Sequence, residues 1–354
     1  MARPERGIQG SVDLTVRGAG IFGLSIAWAA VRRGARVRVI ETADIGAGAS
    51  GGPVGALAPH VPEQWNAKKA FQLDSLLMAP DWWAGVAETG GGDPGYARTG
   101  RLQPLADARA VEAACARGVE AQTLWQGRAD WQVIRATGAA WEPTSPSGWL
   151  VRDTLTARLH PRAALAALVA AIRAGGGEVV TGAAPDAGAV IWATGTAGLA
   201  ALSDALCRPV GGGVKGQAAA LRFEARTAPQ LFVDGLHIVP HGDGTVAIGS
   251  TSENQWQDAT GTDAALEALI ARAVAAVPAL AGAPVLARWA GLRPRARSRA
   301  PMLGAWPGRA GHFVANGGFK IGFGMAPKVA EVMADLVLDG GGAIPDGFRV
   351  DASL

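Results

Sequence analysis

Polar and apolar positions change period several times along this chain, and each change marks an element. Residues 12–16 are β-branched-rich and apolar apart from Asp13, which predicts a strand. Residues 21–33 are apolar at helical spacing and stop at Gly34, where a left-handed cap residue belongs. Residues 36–40 alternate as a second strand that runs into Glu41. His160-Pro161-Arg162 then opens a helix with Leu165, Leu168, Val169 and Ile172 on one face, closed by Gly175-Gly176-Gly177. Residues 190–193 predict another strand, running into Thr194-Gly195. Residues 236–240 and 245–250 form two strands around the hairpin signal His241-Gly242-Asp243-Gly244, and residues 264–277 form a helix. Pro327 is expected in the first turn of a last helix, striped by Val329, Val332, Met333 and Leu336 and ended by Gly340.

Between the first strand and the first helix lies Gly18-Ala19-Gly20-Ile21-Phe22-Gly23. Gly18 permits a tight turn, Gly20 lets the backbone approach a pyrophosphate, and Gly23 allows the helix to pack closely on the strand. The helix N-terminus offers unpaired N–H groups and partial positive charge to phosphates. Glu41 follows 18 residues after Gly23. It suits both hydroxyls of an adenosine ribose and repels a 2′-phosphate. Strand, glycine turn, helix, strand and acid together point to a dinucleotide.

Composition narrows the class without naming the reaction. The chain has 354 residues, enough for two domains, with 49% hydrophobic and 18% charged positions. A net charge of +3 does not suggest a nucleic-acid partner. Cys115 and Cys207 lie far apart, which excludes a disulfide framework or cysteine zinc site and fits a reducing compartment. No apolar signal segment follows the charged N-terminus, and the apolar run 21–31 is too short to span a bilayer, so a cytoplasmic protein without a transmembrane anchor is expected.

After Glu41 comes the small-residue loop Gly46-Ala47-Gly48-Ala49-Ser50-Gly51-Gly52, then Gly55-Ala56-Leu57-Ala58-Pro59-His60. Ala193-Thr194-Gly195, Gly291-Leu292-Arg293-Pro294 and Asn316-Gly317-Gly318-Phe319-Lys320-Ile321 follow in order. With these segments the chain resembles the FAD-dependent oxidoreductases of the D-amino acid oxidase, glycine oxidase and sarcosine oxidase family. The resemblance implies an α/β fold: a Rossmann-like FAD-binding domain (residues 1–85, 156–215 and 290–354) with an inserted α+β substrate domain on an antiparallel sheet (86–155 and 216–289). It implies FAD contacts from Gly18, Gly20, Ile21, Phe22, Gly23, Glu41, Ala49, Ser50, Gly55, Ala56, Leu57, Ala193, Thr194, Gly195, Gly317, Gly318, Phe319, Lys320 and Ile321. Ala296, Ser298 and the pair Asn316-Gly317 depart from the family's motifs. No cysteine accompanies Pro301-Met302, so the FAD is expected to be noncovalent.

The chemistry so implied is oxidation of an amine or amino acid, a hydride passing from the carbon beside nitrogen to flavin N5 and the imine then hydrolysing. Oxygen or an electron-accepting partner would reoxidise the flavin. Arg293 is expected to hold the substrate carboxylate through its guanidinium fork, with Lys320 second and His60 lining the site. A single tyrosine, Tyr96, argues against a standard D-amino acid oxidase pocket. His237 and His241 read as ordinary residues flanking the hairpin, and no metal site is expected. Other readings are trimming of a carboxymethylaminomethyl group on tRNA uridine, a dehydrogenase subunit passing electrons to a partner, and an NAD enzyme.

Overall fold

The computed structural model describes residues 12–354. The first unit is β1 (Leu14–Arg17), α1 (Ile21–Arg32) and β2 (Val37–Glu41), with β1 and β2 parallel from Leu14↔Val37 to Arg17↔Ile40. β2 starts one residue later than the pattern predicts and takes in Glu41. Asp13 explains the shift: its carboxylate accepts from the Arg36 backbone N–H (2.9 Å) and pairs with the Arg36 guanidinium, holding that residue in the turn. Residues 21–31 of α1 are all buried, because the sheet covers one side and the helix Gly322–Leu338 the other.

The six-stranded sheet runs in the order Met302–Ala305, His312–Asn316, Ala189–Trp192, β1, β2, Glu178–Thr181. Five strands are parallel, and Met302–Ala305 adds an antiparallel edge. In such a sheet the carboxyl ends of the strands form the natural ligand crevice.

A second sheet has eight strands: Val285–Ala296, Gly211–Arg222, Thr245–Gly249, Leu236–Pro240, Gln230–Val233, Arg101–Pro104, Trp149–Asp153 and Trp131–Arg135. All pairs are antiparallel except Gln230–Val233 against Arg101–Pro104. Its two longest strands pair from Gly211↔Ala296 to Leu221↔Val285. They run through positions 215/216 and 289/290, so each serves both parts into which the sequence reading divides the chain. Leu221, Leu231, Ile238 and Ile248 form a core on one face with Leu266 and Leu269 of the helix Ala264–Ala276, which leaves the other face to the site.

Two helical features differ from expectation. Pro327 is not in a first turn: the helix already starts at Gly322 and carries Pro327, buried, in its interior. A 24-residue helix, Ala67–Gly90, also forms, capped by Asn66 accepting from the Lys69 N–H and packed on Pro161–Ala174 and Gly322–Leu338. Among the described residues no helix is long and apolar enough to cross a membrane.

Arg101 and Asp153 are cross-strand partners on two adjacent strands of the eight-stranded sheet and are both buried. Arg101 Nε donates to one Asp153 oxygen and the Thr156 N–H to the other, each at 2.8 Å. Asp153→Ala strands a buried guanidinium and is expected to cost about 3–5 kcal/mol of stability, read as a lower midpoint in denaturant unfolding.

Candidate active site

The carboxyl ends of the parallel strands and the open face of the eight-stranded sheet enclose a cavity of about 840 Å³. At one end sits the glycine turn. Gly18 has φ +101°, and a Cβ there would lie 2.5 Å from the Ala193 carbonyl oxygen; one on Gly23 would lie 1.9 Å from the Gly18 carbonyl oxygen. The turn and the 193–194 backbone therefore pack together only because both positions are glycine. Gly20, the N-cap of α1, has no side chain to cap the helix, and Ser50 Oγ accepts from the Ile21 N–H at 3.0 Å. Glu41 accepts from the backbone N–H of Ala19 (2.8 Å) and Ala43 (3.0 Å), which fixes its carboxylate at the cavity wall.

Asn316 joins two of the recognised segments. Its Nδ2 donates to the Gly195 carbonyl at 2.8 Å, and its Oδ1 accepts from the Gly317 N–H at 2.7 Å. The Phe319 N–H donates to the Pro294 carbonyl at 3.0 Å, tying the 317–320 loop to the strand that carries Arg293. Gly322 and Phe323, in the first turn of the last helix, reach the same cavity.

The sheet wall is one rung crossing five strands: Phe232, His237, Gly249, Ala218 and Trp289 are successive cross-strand partners, and all line the cavity. Side chains opposite one another on adjacent strands share a face, so this rung forms the wall. Val54 of the small-residue loop fits against its low centre, where a Cβ on Gly249 would lie 2.5 Å from Val54 Cγ2.

Arg293 stands four residues beyond Trp289, on the same face, and is 6% exposed. Its guanidinium lies over Gly216, where a Cβ would be 2.7 Å from Cζ. It donates to Ser250 Oγ, to the Lys215 carbonyl (3.2 Å) and to the Thr251 carbonyl (2.6 Å), while Nε has no partner. Burial lowers its pKa to about 10, partly offset by Glu253, so it stays a cation near neutrality. No carboxylate among the described residues forms an ion pair with it. Lys320 faces the cavity with its ammonium 5.7 Å from the Phe319 ring centroid and no described ion pair; burial and Arg293 lower its pKa.

Not every expected residue reaches this space. Gly23, Leu57 and Ile321 stand behind the cavity wall, acting through packing and as the last helix's cap residue. His60 is also absent from the lining. Gln72 on the helix Ala67–Gly90 accepts from both its backbone N–H (2.8 Å) and its ring Nδ1, and burial lowers its pKa. Tyr96 lies away from the cavity, partly buried against the main core, its pKa raised to about 12 by burial. Conversely, Phe232, His237, Trp289 and Ser250 line it without having been singled out as site residues. The hairpin signal identified the strand around His237, but not which face would meet the cavity. Among the described residues no group of His, Cys, Asp or Glu could hold a metal ion.

The profile of the DAO family, FAD dependent oxidoreductase, matches residues 13–336. The chain belongs to the FAD-dependent oxidoreductases of the DAO family. A glycine oxidase from Pseudomonas putida is 37% identical over 125 residues, 35% of this chain and 34% of that enzyme. The chain thus spans about a third of the length of that curated relative. Among solved structures, glycine oxidase from Geobacillus kaustophilus superposes with a TM-score of 0.81 at 23% identity, covering 96% of this chain and 98% of that one. Iminodiacetate oxidase from Chelativorans sp. BNC1 gives a TM-score of 0.82 at 19% identity, covering 95% and 98%. These structures share the fold.

The residues present fit FAD. A helix N-terminus with glycine at its N-cap and the glycine turn suit the pyrophosphate, and Glu41 suits the adenosine ribose. The cavity continues from Glu41 past Ser50 and Thr194 to the Gly317–Lys320 loop, joining a dinucleotide site to the sheet wall. Glu41→Ala removes the carboxylate that suits the ribose and frees the Ala19 and Ala43 N–H groups. A loss of about 1.5–3 kcal/mol per charged hydrogen-bonding group predicts FAD binding roughly ten- to a hundredfold weaker, measured by titrating apoprotein and following flavin fluorescence.

Proposed function

We propose that this chain oxidises a small carboxylate-bearing amine, of the glycine, sarcosine or D-amino acid type, to an imine that hydrolyses off the enzyme. The observation that carries the proposal is Arg293: a buried cation on the cavity wall, without a described carboxylate partner, next to the segment that resembles the family's flavin loop. A buried cation left without its counter-charge is costly, and a substrate carboxylate supplies one. The enzymes named glycine oxidase and iminodiacetate oxidase support the same class of donor.

Bound FAD supplies the two-electron acceptor. The chain's own residues bind and orient. Arg293 is fixed by three protein acceptors, which holds its positive charge at one place on the cavity wall, where a carboxylate can meet it. Lys320 adds a second positive charge on the same cavity. Phe232 and Trp289 give the sheet wall apolar ends that exclude water from the reacting carbon. The first turn of the helix Gly322–Leu338 brings its positive end to the cavity, where it favours negative charge gathering on the cofactor.

The test is anaerobic mixing of the yellow holoprotein with glycine, sarcosine and a panel of D-amino acids. Bleaching of the flavin by at least one of them is expected, and bleaching by none defeats the reading. Admission of air then separates the two reoxidation routes: rapid return of colour marks an oxidase, slow return a dehydrogenase with another electron acceptor. The tRNA reading is not favoured, since no observation at the cavity or in the charge balance supports it.

A further inference from the structure

His237 has no part in the arrangement just described, yet it occupies the same wall. It lies on Leu236–Pro240, between Phe232 and Gly249 on the five-strand rung, with its ring centroid 4.6 Å from that of Phe232. The ring lines the cavity and makes no hydrogen bond with any described residue; its Nδ1 is buried, which leaves Nε2 as the nitrogen open to a ligand. A largely enclosed imidazole without a partner is a cost unless something fills it. The ligand that enters this cavity is the available partner.

The surroundings decide what kind of partner. The charged groups acting on His237 are both cations, Arg101 on the neighbouring strand system and Lys320 on the flavin-side loop. Burial and these two charges push its pKa down to about 3, so the ring is neutral throughout the working range. A neutral imidazole has one nitrogen that accepts. Other polar groups of the substrate end are committed or are donors: Ser250 Oγ takes an Arg293 N–H, and Arg293 and Lys320 can only donate. Glu41, the one carboxylate among the described residues lining the cavity, is bound to two backbone N–H groups beside the glycine turn. The substrate's carboxylate therefore finds donors readily, while its nitrogen has His237 as its side-chain acceptor on the sheet wall.

We infer that His237 is a specificity-determining substrate contact that accepts a hydrogen bond from the substrate's N–H, so that the enzyme selects primary and secondary amines over tertiary ones. This inference rests on the amine-oxidation reading above. A tertiary amine leaves the buried acceptor unsatisfied, which at about 1–3 kcal/mol corresponds to roughly a five- to hundredfold penalty.

Glycine, sarcosine and N,N-dimethylglycine form a series with falling N–H count and the same carboxylate. The holoenzyme is expected to reduce its flavin with sarcosine at least about tenfold more efficiently than with dimethylglycine, compared as the apparent second-order rate constant under anaerobic conditions. His237→Phe keeps a ring and removes both nitrogens, and it should collapse that preference to within about threefold. His237→Gln keeps an acceptor and should preserve it. An unchanged preference in His237→Phe overturns the inference, as does its loss in His237→Gln, which also decides the matter if the phenylalanine variant does not fold. A wild-type flavin that no amine bleaches defeats the parent reading instead. The two failures are therefore told apart by the wild type alone.

Discussion

Gly23→Val gives a chain that takes up no FAD and goes largely to the insoluble fraction. The cause is an immovable contact: the new Cβ would lie 1.9 Å from the Gly18 carbonyl oxygen, a backbone atom that cannot rotate away. Gly18 is itself held at φ +101° against the Ala193 carbonyl, so relieving one contact tightens the next. Overpacking typically costs about 1–3 kcal/mol where side chains can adjust, and more is expected where backbone must separate from backbone. Set against a total stability of about 5–15 kcal/mol, that threatens the whole Rossmann unit as well as its ligand. Flavin absorbance per protein and the soluble yield measure both effects. Gly23→Ala should fail in the same direction, since its Cβ meets the same oxygen.

Arg293→Met has the second largest effect, on turnover rather than on cofactor retention. Loss of a buried charge partner for a carboxylate costs about 2–5 kcal/mol, which predicts kcat/KM lower by roughly thirty- to several-thousandfold. The loss should fall mainly in KM. It should spare any residual activity on an amine without a carboxylate, and flavin content should stay as in the wild type. Arg293→Lys is not expected to rescue. One ammonium cannot reach Ser250 Oγ, the Lys215 carbonyl and the Thr251 carbonyl while also facing a substrate. A variant with wild-type kcat/KM would remove Arg293 from the substrate site.

The dinucleotide unit was readable because its parts lie close in sequence and each obeys a strong local rule. Gly18, Gly20, Gly23, Gly34 and Glu41 are positions where backbone geometry or a ligand leaves little choice. The helix Ala67–Gly90 was not readable, for the opposite reason. It is packed against helices on more than one side, so its apolar residues do not form one stripe, and Pro80 inside it looks like a breaker. Pro327 misled similarly: proline is normally a start signal, but here packing tolerates the missing N–H in a buried interior turn. Arg293 and Lys320 could be singled out through their neighbouring motifs. His237 could not, because its role depends on five strands lining up, and strand register across a sheet is not written in any one segment.

The Asn316 amide holds together turns that are 121 positions apart in the chain. Its strand, His312–Asn316, must also find Ala189–Trp192, which in turn pairs with β1. During synthesis the glycine turn is therefore made first and waits through most of translation for the residues that complete its cradle. The oldest part of the site and its youngest can meet only when the chain is almost complete.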